Sequence, residues 1–201
     1  MSRIGILGGT FNPIHNGHIR LAKYCKTEMK LDKVLLIPDN TPPHKSDREL
    51  ASGSDRFKMC VLACKALDWL EVSEIELLRE GKSYTYETLI SLKEIYPSDE
   101  LFLIVGADMF LTLHQWKNPS VIFNCASIIA VPRDLSDRET LLRFYQDTLR
   151  PMGAKAAVLP SPVMTVSSTF IRDNIGEYEK IKELIAPEVY EYITTNGLYR
   201  K

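Results

Sequence analysis

The chain has 201 residues, 45% apolar and 25% charged, with a net charge of -1. That is the balance of an ordinary globular domain, long enough to bury most of its unfolded surface without disulfides or metal staples. The near-zero charge excludes a general electrostatic nucleic-acid binder, and no run of about 18 apolar residues offers a membrane span.

The N-terminal apolar stretch is too short for a signal peptide, so the expected location is cytoplasmic. Arg3 to Leu7 reads as a buried strand stopped by Gly8-Gly9. His18 to Met29 follows at helical spacing. Lys33 to Pro38 is a second buried strand, and Asp39 to Gly53, with Pro42-Pro43, is a loop. Ser54 is the predicted N-cap of a helix running to about Leu67. On that helix Cys60 and Cys64 share a face as buried thiols, and no C-x-x-C pair points to zinc.

Leu70 to Ser73 is a third short strand. Thr85 is the predicted cap of a helix from Tyr86 to Ile95, stopped before Pro97. Strands are predicted at Leu101 to Val105, Ser127 to Val131 and Ala156 to Leu159, with Ser136 capping a helix to about Arg150. The tail is helical at Ser168 to Ile175, Tyr178 to Ile185 and Pro187 to Thr195, where Pro187 suits a first helical position. Strands apolar on both faces, alternating with helices, predict a parallel sheet covered on both sides. The expected fold is α/β, a doubly wound, Rossmann-like sheet in one domain over 1–201, with 168–201 as a small helical C-terminal end. Gly8-Gly9, Gly106-Ala107-Asp108 and Arg133 then fall at strand ends, where such sheets bind ligands.

The segment Gly8-Gly9-Thr10-Phe11-Asn12-Pro13-Ile14-His15-Asn16-Gly17-His18 joins a strand to a helix. Glycines there let backbone N–H groups approach a phosphate, and a helix start favours its charge. His15 and His18 are two of the four histidines in the chain. Separated only by Asn16 and Gly17, both imidazoles can donate hydrogen bonds or positive charge to phosphate oxygens. Gly81-Lys82-Ser83 is not the end of a P-loop, because the upstream glycine position is Glu76.

Gly9 to His18 resembles in full the G-x-F-x-P-x-H-x-G-H signature of the nucleotidyltransferase superfamily related to class I aminoacyl-tRNA synthetases. Ser167-Ser168-Thr169-Phe170-Ile171-Arg172 is similar to its second signature, S-S-T-x-I-R. The resemblance implies that His15 and His18 contact the ATP phosphates and stabilise the attacked α-phosphorus. It implies that Ser167, Ser168, Thr169 and Arg172 hold the departing pyrophosphate. Gly8, Gly9, Thr10, Phe11 and Gly106 join these as implied ATP-binding positions. Read without the resemblance, Ser167 to Thr169 is also a plain helix cap.

Several segments resemble nicotinate-mononucleotide adenylyltransferases across nearly the whole chain: Pro42-Pro43-His44-Lys45, a basic Arg56, Gly81 to Tyr86, Gly106-Ala107-Asp108, Trp116, and Asn196-Gly197-Leu198-Tyr199. The resemblance implies that Lys45 lies near a phosphate and that Thr85 and Tyr86 meet the pyridine carboxylate. Asp108 would lie near a ribose, and Trp116 would stack on the pyridine ring. Taken alone, Trp116 reads first as a packing residue, Asp108 also as a helix N-cap, and Lys45 as solvated surface. The family often carries aspartate where this chain has Asn12, and Arg-Pro-Gly where it has Arg133-Asp134-Leu135.

The implied reaction transfers AMP from ATP to nicotinate mononucleotide, giving deamido-NAD and pyrophosphate in NAD biosynthesis. Mg²⁺ accompanies ATP, held by phosphates and water rather than by a protein metal site. The implied partners are these two small molecules, with no nucleic acid and no membrane; a homo-oligomer is compatible. Alternative readings are the same chemistry on nicotinamide mononucleotide or phosphopantetheine, and a catalytically silent nucleotide-binding regulator.

Overall fold

The computed structural model describes residues 1–40, 50–134, 136–160 and 166–200. Six strands, β1 (Arg3–Gly9), β2 (Lys33–Pro38), β3 (Leu70–Val72), β4 (Glu100–Gly106), β5 (Ala126–Val131) and β6 (Ala156–Val158), form one sheet in the order β3-β2-β1-β4-β5-β6. That is the doubly wound order, which reverses between β1 and β4. β4 pairs in parallel with β1 and with β5, and β5 with β6. The four inner strands are apolar at almost every position and buried on both faces, as a parallel sheet requires. The edge strands β3 and β6 are only three residues long, which limits their open hydrogen-bonding edge.

The contacts divide the chain into two compact units. One comprises Met1–Leu7, Ala22–Leu35 and Tyr84–Met164. It holds α3 (Thr85–Ile95), α4 (Ala107–Thr112), α5 (Pro119–Cys125) and α6 (Asp137–Phe144). Its packing is close: a Cβ on Gly5 would lie 2.8 Å from Leu31 and 3.2 Å from Ile104. The second unit comprises Gly8–Leu21, Leu36–Ser83 and Thr165–Lys201. It holds α2 (Gly53–Cys64), α7 (Ser168–Asp173), α8 (Tyr178–Ile181) and α9 (Pro187–Thr195). α1 (Asn16–Glu28) begins in this second unit and ends in the first.

All six predicted strands are present, and α9 runs as predicted. The caps differ. Ser52, not Ser54, caps α2: its Oγ accepts from the Asp55 N–H at 3.0 Å while donating to the Asp55 carboxylate at 2.6 Å. Tyr84 is the N-cap of α3, so Thr85 is its first helical residue. Ser136 holds the N-cap position of α6 as predicted, but the acceptor there is Asp134, whose Oδ1 takes the N–H groups of Ser136 and Asp137 at 2.8 and 3.1 Å. A carboxylate two residues upstream outcompetes the Ser136 hydroxyl, which itself donates to Asp134. α4 and α5 leave no helical signal in the sequence. Each is under two turns, too short for an apolar period to show.

All four cysteines are free; Cys25, Cys60 and Cys64 are buried. Burial pushes the Cys25 and Cys64 thiols up to about 12, so these are packing residues rather than nucleophiles.

Candidate active site

The β1–α1 loop is held by its own side chains. Phe11 is buried in a left-handed backbone conformation, φ 47°, which costs a non-glycine residue roughly 1 kcal/mol. Its ring lies over Gly9, where a Cβ would meet it at 3.1 Å, and meets the His18 ring edge-on at 4.9 Å. His15 and His18 stack, centroids 3.7 Å apart and 14° from parallel. Gly17 makes room for the pair: a Cβ there would lie 3.1 Å from the His15 ring and 3.0 Å from Val166. The G-x-F and H-x-G-H spacings thus have a packing reason. Gly8 and Gly106 have none, since a Cβ on either meets nothing within 4 Å among the described residues.

His15 is 5% exposed. Desolvation by burial lowers its pKa from 6.5 to about 4, against a smaller opposing backbone hydrogen bond. It is therefore neutral at pH 7, which favours hydrogen-bond donation over positive charge as its contribution. Its Nδ1 accepts from the His18 N–H at 3.4 Å, and His18 Nδ1 accepts from the His15 N–H at 3.3 Å. A neutral ring accepting at Nδ1 carries its proton on Nε2, leaving an N–H donor.

The two signature segments, 155 and more residues apart, meet. Ser168 Oγ donates to the Pro13 carbonyl at 3.1 Å, and Arg172 Nη1 to the Asn12 carbonyl at 2.9 Å. Arg172 Nη2 also reaches Thr169 Oγ1 at 3.3 Å. Ser167 caps α7 by accepting from the Phe170 N–H, so capping is present beside any ligand role. Asn12 is 4% exposed, and its Oδ1 accepts from the Ala51 N–H at 3.1 Å and the Tyr199 hydroxyl at 2.6 Å. An acceptor oxygen is what this site requires, so the change from the family's aspartate preserves the bonding.

The other unit holds Thr85, Tyr86, Asp108, Trp116 and Arg133, of which Asp108 and Arg133 meet. Asp108 follows the carboxyl end of β4 in the first turn of α4, whose N-cap is Gly106, not Asp108. Its carboxylate pairs with the Arg133 guanidinium beyond the end of β5. Thr85 and Tyr86 open α3, where the Lys117 ammonium sits 3.9 Å over the Tyr84 ring. The half-buried Trp116 donates its indole N–H to Thr112 Oγ1 at 3.4 Å. Lys45 lies outside the described residues.

The sequence reading left one group without a role. The Arg56 guanidinium, 1% exposed, bonds Asp39 and the carbonyls of Thr10, Asn40 and Ala51. The available signal was spacing: Arg56 lies on the same helix face as Cys60 and Cys64, and that face is buried.

Residues 6–174 match the cytidylyltransferase-like family. The chain is 40% identical over 199 residues to a protein of Carboxydothermus hydrogenoformans named a probable nicotinate-nucleotide adenylyltransferase, covering 99% of this chain and 98% of that one. A Clostridium tetani protein of the same name is 36% identical, with 100% of both chains covered. The chain belongs to the nicotinate-nucleotide adenylyltransferases. The fold agrees. The Plasmodium falciparum nicotinic acid mononucleotide adenylyltransferase, in a structure complexed with NaAD, superposes with a TM-score of 0.78 at 19% identity, covering 99% of this chain and 98% of that one. The glycine- and histidine-rich loop from Gly8 to His18 falls inside the matched region.

Proposed function

We infer that the protein transfers the adenylyl group of ATP to nicotinate mononucleotide, forming nicotinate adenine dinucleotide and releasing pyrophosphate, a step of NAD biosynthesis. The observation that carries this reading is the 40% identity, end to end, with a protein named for that reaction. We read residues 1–201 as one nucleotidyltransferase domain with a helical end at 168–201, acting in the cytoplasm; no helix among the described residues is long and apolar enough to cross a membrane.

The 5′-phosphate of the acceptor attacks the α-phosphorus in line. The new O–P bond forms as the bond to the bridging oxygen breaks, and the electron pair leaves with pyrophosphate. The nucleophile is already an anion, so no general base is required, and catalysis is positioning plus charge stabilisation. In this reading His15 donates a neutral Nε2–H, and His18 acts beside it on the phosphates. Arg172, fixed by Asn12 and Thr169, meets the pyrophosphate with Ser167 and Ser168. Gly8, Gly9, Thr10, Phe11, Gly106 and Asp108 serve ATP. Lys45, Thr85, Tyr86, Asp108, Trp116 and Arg133 serve the mononucleotide. Among the described residues no three His, Cys, Asp or Glu side chains lie together as a metal site. Mg²⁺ would enter with ATP, held by phosphate oxygens and water, and would neutralise part of the phosphate charge.

Pyrophosphate release from ATP, measured with nicotinate and with nicotinamide mononucleotide in parallel, tests the reading. We expect kcat/KM at least tenfold higher with nicotinate mononucleotide. Equal or reversed preference overturns the acceptor, and no release with either overturns the reaction.

A further inference from the structure

Arg56 is a fully buried cation that the reaction scheme above does not use. All five guanidinium N–H donors have acceptors: Nε on the Ala51 carbonyl at 3.1 Å, Nη1 on the Thr10 carbonyl at 2.9 Å and Asp39 Oδ1 at 3.1 Å, Nη2 on the Asp39 and Asn40 carbonyls at 2.7 and 3.0 Å. The other Asp39 oxygen, Oδ2, accepts from the Thr10 hydroxyl at 2.9 Å. Thr10 is therefore gripped twice, at its backbone carbonyl by Arg56 and at its side chain by the carboxylate that neutralises Arg56. Thr10 immediately precedes the left-handed Phe11.

We propose that Arg56 and Asp39 are positioning residues for adenylyl transfer, acting through Thr10; the inference rests on the reaction read above. The Thr10–Phe11 peptide is trans, and in a planar trans peptide the carbonyl and the following N–H point in opposite directions. Drawing the Thr10 carbonyl onto a buried cation fixes the Phe11 N–H on the side opposite the guanidinium. A donor held this way needs no reorganisation as charge develops on a phosphate. The planar fork matters as much as the charge, since an ammonium offers three donors from a single nitrogen.

The test is a double-mutant cycle on the full chain, with pyrophosphate release as the assay and circular dichroism reporting the folded fraction. Asp39→Asn keeps the shape but removes the charge and reverses the polarity of one half of the side chain. We expect kcat to fall at least tenfold while KM for ATP moves less than threefold and the fold is kept. Thr10→Ala lowers kcat as well, and the double variant Asp39→Asn with Thr10→Ala stays within threefold of the worse single one, because both cut the same connection. Arg56→Lys, where it folds, behaves like Asp39→Asn. Asp39→Asn with kcat within twofold of wild type overturns the proposal, as does a double variant whose loss equals the product of the two singles. A wild-type chain that releases no pyrophosphate overturns the reaction itself, whereas active wild type with an unaffected Asp39→Asn overturns only this inference.

Discussion

Gly8 and Gly17 sit in the same loop for different reasons. Gly17 is enclosed, with the His15 ring and Val166 at or near 3 Å from any added Cβ, whereas a Cβ on Gly8 meets nothing within 4 Å among the described residues. Gly17→Ala is therefore expected to lower the melting temperature and kcat together, by disturbing the stacked histidines. Gly8→Ala is expected to leave melting within about 2 °C and to raise KM for ATP severalfold, since an exposed site away from packing shifts stability by roughly 0.5 kcal/mol or less. His15 makes a pH prediction. Its folded pKa of about 4 lies below the ordinary 6.5. Between those values the unfolded chain binds the proton and the folded chain does not, so stability falls as pH drops through this window. The loss should reach about 3 kcal/mol by pH 4, and urea titrations from pH 7.5 to 4 would show its absence in His15→Gln. The H-x-G-H spacing is legible in the sequence. That the first histidine is neutral is not, because desolvation depends on what packs over the ring.

The helices show how far local pattern reaches. Periodicity located α1, α2, α3 and α9, but the cap of α2 lay two residues from the predicted serine. Ser52 and Asp55 close a reciprocal pair, and Asp55 also accepts from the Tyr192 hydroxyl on α9 at 2.9 Å. Ser52→Ala is expected to cost about 1 kcal/mol of unfolding free energy. Tyr192→Phe, which removes the hydroxyl linking α9 to α2, is expected to cost about 1 kcal/mol as well. If the two share Asp55, chemical denaturation of the double variant will show less than the summed loss. Residue type alone does not separate Ser54 from the nearby Ser52 as a cap. Backbone geometry at the helix start chose between them, because only Ser52 has the non-helical conformation that aims its hydroxyl at the N3 amide.

For the molecule as a whole, the central strands carry the apolar load. Ile104 is buried at the middle of β4, between β1 and β5, and against Gly5 in the neighbouring strand. Ile104→Ala is expected to destabilise by about 2–5 kcal/mol, read by urea unfolding, with KM for ATP unchanged in the fraction that remains folded. The strands themselves and the two nucleotidyltransferase signatures were open to reading from sequence alone, but not the order of the strands in the sheet. Strands buried on both faces announce themselves as unbroken apolar runs, and a loop of glycines and histidines can be matched residue by residue. What the sequence could not supply is the set of long-range partners: Asn12 with Tyr199 across 187 positions, Arg172 with Asn12 across 160, and Arg56 with Thr10 across 46. Period and capping are properties of neighbouring residues, whereas a buried cation finds its acceptors, and a histidine loses its charge, only when distant segments have closed around them.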